Sequence, residues 1–294
     1  LQLSRGGSVI TSFVHDGAGN VIRKIEPSVG ETEYFFDNEN KLRRVLPAGG
    51  AEQKYEYYPA SDLRYSVEGD GEKQYFLYDG GNVIEELRED ATGFKTVASY
   101  IEGAGLDNHV ARVTEDGQVY AYVTDPLGSV RAVVDRNGAV AKSYGYTAFG
   151  ELRWQQHEPL PGQAYQFTGR RFDEATGLHY FRARFYDAKI GRFLAVDRQA
   201  PGQQTYGYGA GNPLVYTDPS GEEARGFYQQ FMEQYRLARP RAEKLLRPTV
   251  GRPYVQIFYG SLKIVGGGAL TLNPAAPVVS QVAGVHLVAL GASE

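Results

Sequence analysis

Hydrophobic and polar residues alternate along the first part of the chain in short segments separated by turn residues. For example, the aromatic segment at residues 33–36 is followed by Asp and Asn, and then by an alternating segment at residues 41–45. Alternation with a period of two predicts half-buried strands. Asp, Asn and Gly tolerate the left-handed backbone of tight turns. Each unit therefore predicts a β-hairpin.

The hairpin units recur in phase. The turn positions Asp16, Asp37, Tyr58 and Asp79 are spaced by 21 residues, and the three Asp residues follow an aromatic residue or His. A lone hairpin is marginally stable in water, so repeated hairpins are expected to bury each other's faces in one wound sheet. The alternative is chance recurrence of Tyr-Asp and Asp-Gly in a β-rich protein. The rhythm continues less regularly to about residue 151.

The hydrophobic period changes after Gly221, and the new pattern predicts an amphipathic helix. Residues 220–223 (Ser-Gly-Glu-Glu) fit a capping box at its start, and Pro240 ends or kinks the helix. The apolar positions at helical spacing are Ala224, Phe227, Tyr228, Phe231, Met232 and Tyr235.

Residues 264–293 contain no Lys, Arg, Asp or Glu. The segment is long enough to span a bilayer, but residues 273–277 (Asn-Pro-Ala-Ala-Pro) interrupt it and predict two short apolar helices. Two interpretations remain open. The segment inserts into a membrane, or it forms a buried helical hairpin.

Composition narrows the classes of function. The chain has 22 Tyr and 36 Gly, as expected for many strands and turns, and it has no Cys. Residues 1–221 carry a formal charge of −7 and residues 222–294 a charge of +3, which argues against a nucleic-acid platform. The five His are isolated, so we expect no metal and no cofactor. The chain begins without Met or a signal-peptide pattern, and we expect it to be a fragment.

A set of motifs in residues 122–221 carries a family resemblance. Residues 181–187 read Phe-Arg-Ala-Arg-Phe-Tyr-Asp, and residues 218–221 read Asp-Pro-Ser-Gly. In this order the motifs resemble the Rhs repeat-associated core of tyrosine–aspartate (YD) repeat proteins. The core-motif residues are Gly169, Tyr180, Arg182, Arg184, Tyr186, Asp187, Gly191, Phe193, Asn212, Pro213, Pro219 and Gly221.

The resemblance implies a mainly β protein in which hairpins form a hollow cage and the core plugs one end. It implies three regions: a YD-repeat shell fragment (1–121), the core (122–221), and a helical, apolar pre-toxin segment (222–294) whose effector domain is missing. The implied partners are the chain's own C-terminal effector, the remaining N-terminal shell and a secretion machinery. The implied location is secreted or at the bacterial cell surface. Teneurin-like receptors share the shell, so a toxin does not follow from the shell alone.

The family's core also cuts its own chain with two acidic residues. The matching positions are Asp197 and Asp218, with Arg192 at a core-motif arginine. One carboxylate would activate water while the other, protonated, polarises the scissile carbonyl. The chain departs from the family pattern where Arg-Gln-Ala-Pro comes directly after Asp197, and where Glu222-Glu223 replaces a usual Leu.

Structural roles are the alternative for these residues. Asp-Pro-x-Gly is a type I turn, and Asp197 fits a surface loop or an ion pair with Arg198 or Arg192. Arg182 and Arg184 fit one strand face stacked on aromatic rings. Three functions stay open: encapsulation and delivery of a toxin in bacterial competition or host attack, self-cleavage by an aspartyl autoprotease, and adhesion to cell walls or surfaces.

Overall fold

The computed structural model describes residues 2–5, 8–157, 160–199 and 205–226. Beyond these it describes the single positions 229, 232, 236 and 237 and the strands at 254–258 and 261–265.

In the described part, fifteen consecutive antiparallel strands form one sheet, here called the shell sheet, in which each strand pairs with its neighbours in sequence. This order confirms the predicted wound sheet of stacked hairpins. The strands are β1 (Gln2–Arg5), β2 (Ser8–His15), β3 (Val21–Glu26), β4 (Gly30–Phe36), β5 (Leu42–Leu46), β6 (Gln53–Tyr57), β7 (Arg64–Gly69), β8 (Glu72–Asp79), β9 (Asn82–Asp90), β10 (Gly93–Glu102), β11 (His109–Thr114), β12 (Val119–Thr124), β13 (Val130–Asp135), β14 (Val140–Tyr146) and β15 (Leu152–Gln156).

The Asp of the repeat closes its turn with its own side chain. Asp37 Oδ1 accepts the amides of Glu39 (2.9 Å) and Lys41 (3.0 Å). Asp16 and Asp125 make the same pair of bonds two and four residues ahead. These bonds satisfy amides that the sheet cannot pair, and this is why the motif needs an Asp.

The Tyr of the repeat joins neighbouring hairpins. The hydroxyl of Tyr57 donates to the carbonyl of Leu42 at 2.8 Å, and the hydroxyl of Tyr78 donates to that of Arg64 at 2.9 Å. The ring is buried or half-buried in the sheet while the hydroxyl satisfies a backbone carbonyl of the preceding unit. The repeat therefore encodes both the turn and the contact to the next hairpin.

A second, smaller unit packs on the shell sheet and is called the plug (residues 165–221). It contains β16 (Arg171–Asp173), β17 (Leu178–Phe181), β18 (Arg184–Asp187) and β19 (Arg192–Phe193), which form a four-stranded antiparallel sheet. Two 3₁₀ turns, Phe167–Gly169 and Gly209–Gly211, flank it.

Aromatic side chains join the two units. Tyr180 and Phe185 of the plug pack in one buried cluster with Tyr34, Tyr55 and Tyr57 of the shell sheet. A second cluster of buried plug residues includes the remaining core-motif aromatics, and Tyr146 of the shell sheet packs against it. Its members are Phe167, Phe181, Tyr186, Ala188, Phe193 and Tyr208. The mainly β prediction is thus confirmed.

The predicted helix begins later than the sequence pattern indicated. β20 (Tyr216–Thr217) pairs with β21 (Arg225–Gly226), so residues 225–226 are extended. The capping box at residues 220–223 does not start a helix: the amides of Glu222 and Glu223 both donate to Asp218, and the amide of Glu222 also donates to Ser220 Oγ at 3.2 Å. Further along, positions 229, 232, 236 and 237 are helical.

The remainder of the C-terminal segment is described only in part. β22 (Tyr254–Phe258) and β23 (Ser261–Val265) form an antiparallel pair within the region predicted to be helical. The two apolar helices predicted from residues 264–293 fall almost entirely outside the described residues. Among the helices that the structure does describe, none has the length and apolarity to cross a membrane.

Candidate functional site

Alternate turns of the shell sheet lie along one edge, here called the rim, because the strands form an antiparallel meander. The rim consists of the turns at residues 16–20, 37–41, 58–63, 79–82, 103–108, 125–129 and 147–151. Neighbouring rim turns also bond to each other, as Asn20 Nδ2 does to Asn40 Oδ1 at 2.9 Å.

The plug is hydrogen-bonded to the rim at several hairpins. The hydroxyl of Tyr206 donates to the carbonyl of Gly19 (2.5 Å), and that of Tyr180 donates to the carbonyl of Asp62 (2.5 Å). The hydroxyl of Tyr186 donates to the carbonyl of Phe149 at 2.7 Å. These contacts reach from the first complete rim turn to the last, so the plug covers this edge of the shell sheet.

Buried ion pairs reinforce the same junction. Lys24 Nζ of the shell lies 2.8 Å from Asp187 Oδ2 of the plug, and both side chains are buried. Arg171 of the plug pairs with the buried Glu86 of the shell at 2.5 Å. Removing one partner of such a pair leaves an uncompensated buried charge. The plug and the shell are thus electrostatically matched.

The two predicted acidic residues come together around one guanidinium. Arg184 Nη2 lies 2.9 Å from Asp197 Oδ2 and 3.3 Å from Asp218 Oδ2. All three side chains are at most a tenth exposed. Burial raises the pKa of Asp218, although Arg184 and three backbone amides oppose that shift. The cluster therefore offers a carboxyl that holds its proton to a higher pH than usual, beside a second carboxylate.

Asp218 organises the turn at which the chain leaves the plug, here called the exit turn (residues 218–223). Its Oδ1 accepts the amides of Gly221 (2.9 Å), Glu222 (3.0 Å) and Glu223 (3.0 Å). Arg184 Nε donates to the carbonyl of Gly221. Gly221 has φ +79°, and a Cβ there would stand 2.4 Å from the Phe181 carbonyl oxygen, so only glycine fits.

The structure gives different partners from those predicted for several charged residues. Arg192 is exposed on β19, and the guanidinium that contacts both carboxylates belongs to Arg184. Arg198 pairs with Asp62 and Glu222, both at 2.9 Å, so the ion pair of Asp197 is with Arg184 rather than with Arg198 or Arg192.

The alternating arginines of the motif are not one stacked strand face. Arg182 lies in the tight turn between β17 and β18 with φ +60°, and its guanidinium contacts Asp107. Only Arg184 stacks on a ring, with its Cζ 3.8 Å from the centre of Phe193. The two side chains have different acidic partners: Arg182 pairs with Asp107, whereas Arg184 pairs with Asp197 and Asp218.

The other core-motif residues have structural roles. The carbonyl oxygen of Gly169 (φ +69°) is hydrogen-bonded to Nε2 of His109 at 2.7 Å. Gly191 (φ +66°) lies in the turn before β19. The Asn212 carbonyl accepts the amides of Val215 and Tyr216. Pro213 and Pro219 are buried.

Sequence reasoning missed Asp107. It lies in the rim turn at 103–108, is 6% exposed, and pairs with Arg170 and Arg182 of the plug. An acidic partner for the motif arginines could have been expected, since buried charges need one. Nothing in the local pattern marks Asp107 as that partner. In the ranges that the structure describes, no group of His, Cys, Asp and Glu could hold a metal ion.

Known proteins resemble the chain in both sequence and fold. The family model described as Teneurin YD-shell matches residues 8–207. The chain is 30% identical over 225 residues to the tRNA3(Ser)-specific nuclease WapA of Bacillus spizizenii, an alignment that covers 71% of the chain and 9% of that protein. It is 29% identical over 232 residues to the probable deoxyribonuclease RhsA of Dickeya dadantii, covering 72% of the chain and 15% of that protein.

A solved structure shows the same fold. The crystal structure of TcdB2-TccC3-Cdc42 contains a chain that matches with a TM-score of 0.56 and 20% identity, over 70% of this chain and 11% of that one. The chain thus spans only a small part of the proteins that it matches.

Proposed function

The chain belongs to the Teneurin YD-shell family, and from this membership we propose that it forms one end of a shell that encloses a C-terminal effector and helps deliver it. The plug closes the shell, and the exit turn leads the chain towards the effector segment. The setting is secreted or at the surface of a bacterial cell, in competition with other bacteria or in attack on a host.

The observation that carries this proposal is the seating of the plug on the rim. Hydroxyl-to-carbonyl bonds and buried ion pairs hold it on several hairpins between Gly19 and Phe149. A plug held by buried charges with matched partners is fixed in one position, because any displacement would leave those charges unpaired. Such a fixed closure suits containment better than it suits a small-molecule site.

Relatives support a toxin as the cargo. WapA of Bacillus spizizenii and RhsA of Dickeya dadantii are named as nucleases, and the aligned part is a small share of each. We infer that nuclease or other toxic activity belongs to a segment that this chain does not include. The acidic body of residues 1–221 is consistent with a container that binds no nucleic acid itself.

Protease protection tests the encapsulation. The chain is expressed with the coding sequence that flanks it in its genome and treated with a nonspecific protease. We expect the segment beyond the exit turn to be protected in the wild type and cleaved in a Lys24→Met variant, in which Asp187 of the plug loses its buried cationic partner on the shell. Arg23→Met, at an exposed pair on the same strand, is the matched control. Equal cleavage of that segment in the wild type and in Lys24→Met would exclude encapsulation by a seated plug.

Self-cleavage is the second candidate, and the cluster of Asp197, Asp218 and Arg184 favours it. In this reaction Asp197 takes a proton from water, and the water oxygen attacks a carbonyl carbon near the exit turn. Asp218, whose pKa is raised by burial, donates its proton to the departing amine as the C–N bond breaks. The products are a new carboxylate and a new amino terminus.

Intact mass tests the cleavage. The wild-type chain, extended beyond residue 294, should give two fragments, whereas Asp218→Asn and Asp197→Asn should each give one intact mass. Asp135→Asn is the control, because Asp135 lies in the turn between β13 and β14, on the edge of the shell sheet opposite the rim. This variant should cleave like the wild type. One intact mass in the wild type would show that the cluster is structural.

A further inference from the structure

Three buried arginines converge on the exit turn. Arg182 Nη1 donates to the carbonyl of Pro219, Arg170 Nη1 lies 3.5 Å from the same oxygen, and Arg184 contacts Asp218 and the Gly221 carbonyl. Each of these arginines is at most 9% exposed. The backbone of the turn and the position of Asp218 are thus set largely by guanidinium groups.

Two of these arginines depend on a carboxylate from the shell. Asp107 Oδ1 lies 2.5 Å from Arg170 Nη1 and 2.9 Å from Arg182 Nη2, and its Oδ2 lies 3.2 Å from Arg182 Nη1. Without this anion, two buried cations would face each other, and their repulsion would be strong at low dielectric. Burial alone would raise the pKa of Asp107, but Arg170 and Arg182 outweigh it and lower the pKa to about 2.

The rim holds Asp107 in place through its neighbouring turn. Asn82 Oδ1 accepts the amide of Asp107 at 3.0 Å, and Asn82 Nδ2 donates to the carbonyl of Gly105 at 2.8 Å. Arg182 also donates to the carbonyl of Gly81, at 3.1 Å through Nε and 2.7 Å through Nη2. A continuous chain of contacts therefore runs from the rim turns at 79–82 and 103–108 to Pro219 of the exit turn.

We propose that Asp107 is a positioning residue of the shell that, through Arg170 and Arg182, holds the exit turn and with it Asp218 in the geometry of the paired carboxylates. The pairing of Asp218 with Asp197 then forms only when this rim turn is seated on the plug. Closure of the shell and assembly of the carboxylate pair become one event. This coupling rests on the proposed plug and exit turn, but it holds whether or not the chain cleaves itself.

Hydrogen exchange measured by mass spectrometry on the full chain tests the coupling. The amides of Gly221, Glu222 and Glu223 report on the exit turn, because they donate to Asp218. In Asp107→Asn these amides should exchange about tenfold faster or more, as expected when local opening becomes easier. Amides of β2–β4, far along the shell sheet, should exchange as in the wild type.

Two further variants keep the test decisive. Asn82→Ala keeps the charge of Asp107 but removes the side chain that accepts its backbone amide. It should raise the exchange rates of the exit-turn amides by a smaller factor than Asp107→Asn does. If Asp107→Asn does not fold, the exchange rates of the exit-turn amides in Asn82→Ala decide whether the coupling exists. Asp90→Asn is the matched control, because Asp90 forms an exposed ion pair with Lys95 at the opposite end of the β9–β10 hairpin.

The outcomes separate this proposal from the proposed function. Unchanged exchange in the exit turn of folded Asp107→Asn, or an equal rise throughout the shell and plug, would overturn the coupling. If protease cleaves the downstream segment of the wild-type chain, the proposed encapsulation is excluded. In that case, faster exchange confined to the exit turn in Asp107→Asn would still support the coupling.

Discussion

Lys24 and Asp187 form a buried ion pair at 2.8 Å that joins β3 of the shell sheet to β18 of the plug. They are separated by 163 residues in the sequence. Burial alone would lower the pKa of Lys24, but the attraction and hydrogen bonds of Asp187 and Glu26 together outweigh it and raise that pKa. Lys24 is therefore charged in the folded protein, and its ion pair with Asp187 stabilises the position of the plug on the shell sheet.

Replacing one partner of this pair should be costly. We expect Lys24→Met to lower the free energy of unfolding by about 3–5 kcal/mol, because it leaves Asp187 buried without its cation. The double variant Lys24→Met with Asp187→Asn should recover more than half of that loss. Urea unfolding measures both variants.

The control for this pair is exposed. Arg23 and Glu31 lie 3.0 Å apart with side chains 43% and 39% exposed, so Arg23→Met should cost less than about 1 kcal/mol. If the loss of unfolding free energy in the double variant equals the sum of the losses in Lys24→Met and Asp187→Asn, the two residues do not interact energetically.

The Asp turns of the repeat make a second prediction. Asp135 Oδ1 accepts the amides of Asn137 (2.8 Å) and Ala139 (2.9 Å), in addition to the backbone bonds that close the same turn. Asp135→Ala should lower the free energy of unfolding by about 1–2 kcal/mol through the loss of these two bonds. Asp135→Asn keeps an acceptor oxygen and should cost less than half as much. Equal losses in the two variants would mean that the charge matters more than the turn bonds.

Arg184 makes a third prediction, which depends on pH. Arg184→Gln removes the cation between Asp197 and Asp218, and the loss at pH 7.5 should be about 3–5 kcal/mol. Burial already raises the pKa of Asp218 in the folded protein, and loss of the cation raises it further. A carboxyl whose pKa is higher in the folded state than in the unfolded state favours folding as the pH falls, so the loss should shrink at pH 5.

Urea unfolding at both pH values, each compared with the wild type at the same pH, measures this change. Arg192→Gln on the exposed face of β19 should stay within about 0.5 kcal/mol at either pH. A loss for Arg184→Gln that is the same at pH 5 and pH 7.5 would show that protonation of the carboxylates does not relieve it.

The hairpins could be predicted because their signals are local. Asp16 and Asp37 bond amides two and four residues ahead, and Tyr57 and Tyr78 reach the preceding hairpin, so the 21-residue repeat carries both contacts. Stacking in sequence order is the consequence, since each hairpin buries the next. The turn after Tyr58 shows the tolerance of the pattern: the Tyr58 amide bonds the carbonyl of Leu63, one residue further than in the Asp turns.

The ion pairs of the site could not be predicted in the same way. Asp107 is 63 residues from Arg170 and 75 from Arg182, and no periodic pattern connects positions so far apart. The family resemblance identified Asp197 and Asp218. Whether Arg184 or Arg192 is the cation that contacts them depends on which strand is buried. The predicted helix start was wrong because Asp218 accepts the amides of Glu222 and Glu223, and residues 225–226 pair as a strand with β20.

His179 makes the last prediction, on acid stability. It lies fully buried on β17 between aromatic rings, and burial, together with the nearby positive Arg170, lowers its pKa from 6.5 to about 3. The folded protein therefore holds His179 neutral at a pH where the unfolded chain has bound a proton. Stability attributable to this residue is complete above pH 6.5 and is lost as the pH falls from 6.5 towards 3.

Between pH 7 and pH 4 this loss should amount to about 3 kcal/mol, and His179→Phe should remove it because Phe has no proton to bind. The measurement is the urea midpoint of the wild type and the variant at half-unit steps across this range. His157→Phe, at an exposed position, is the matched control and should follow the wild-type curve. If His179→Phe and the wild type lose stability in parallel, acid unfolding has another source, and the carboxylates of the buried pairs, Asp187 and Asp107 first, become the groups to replace.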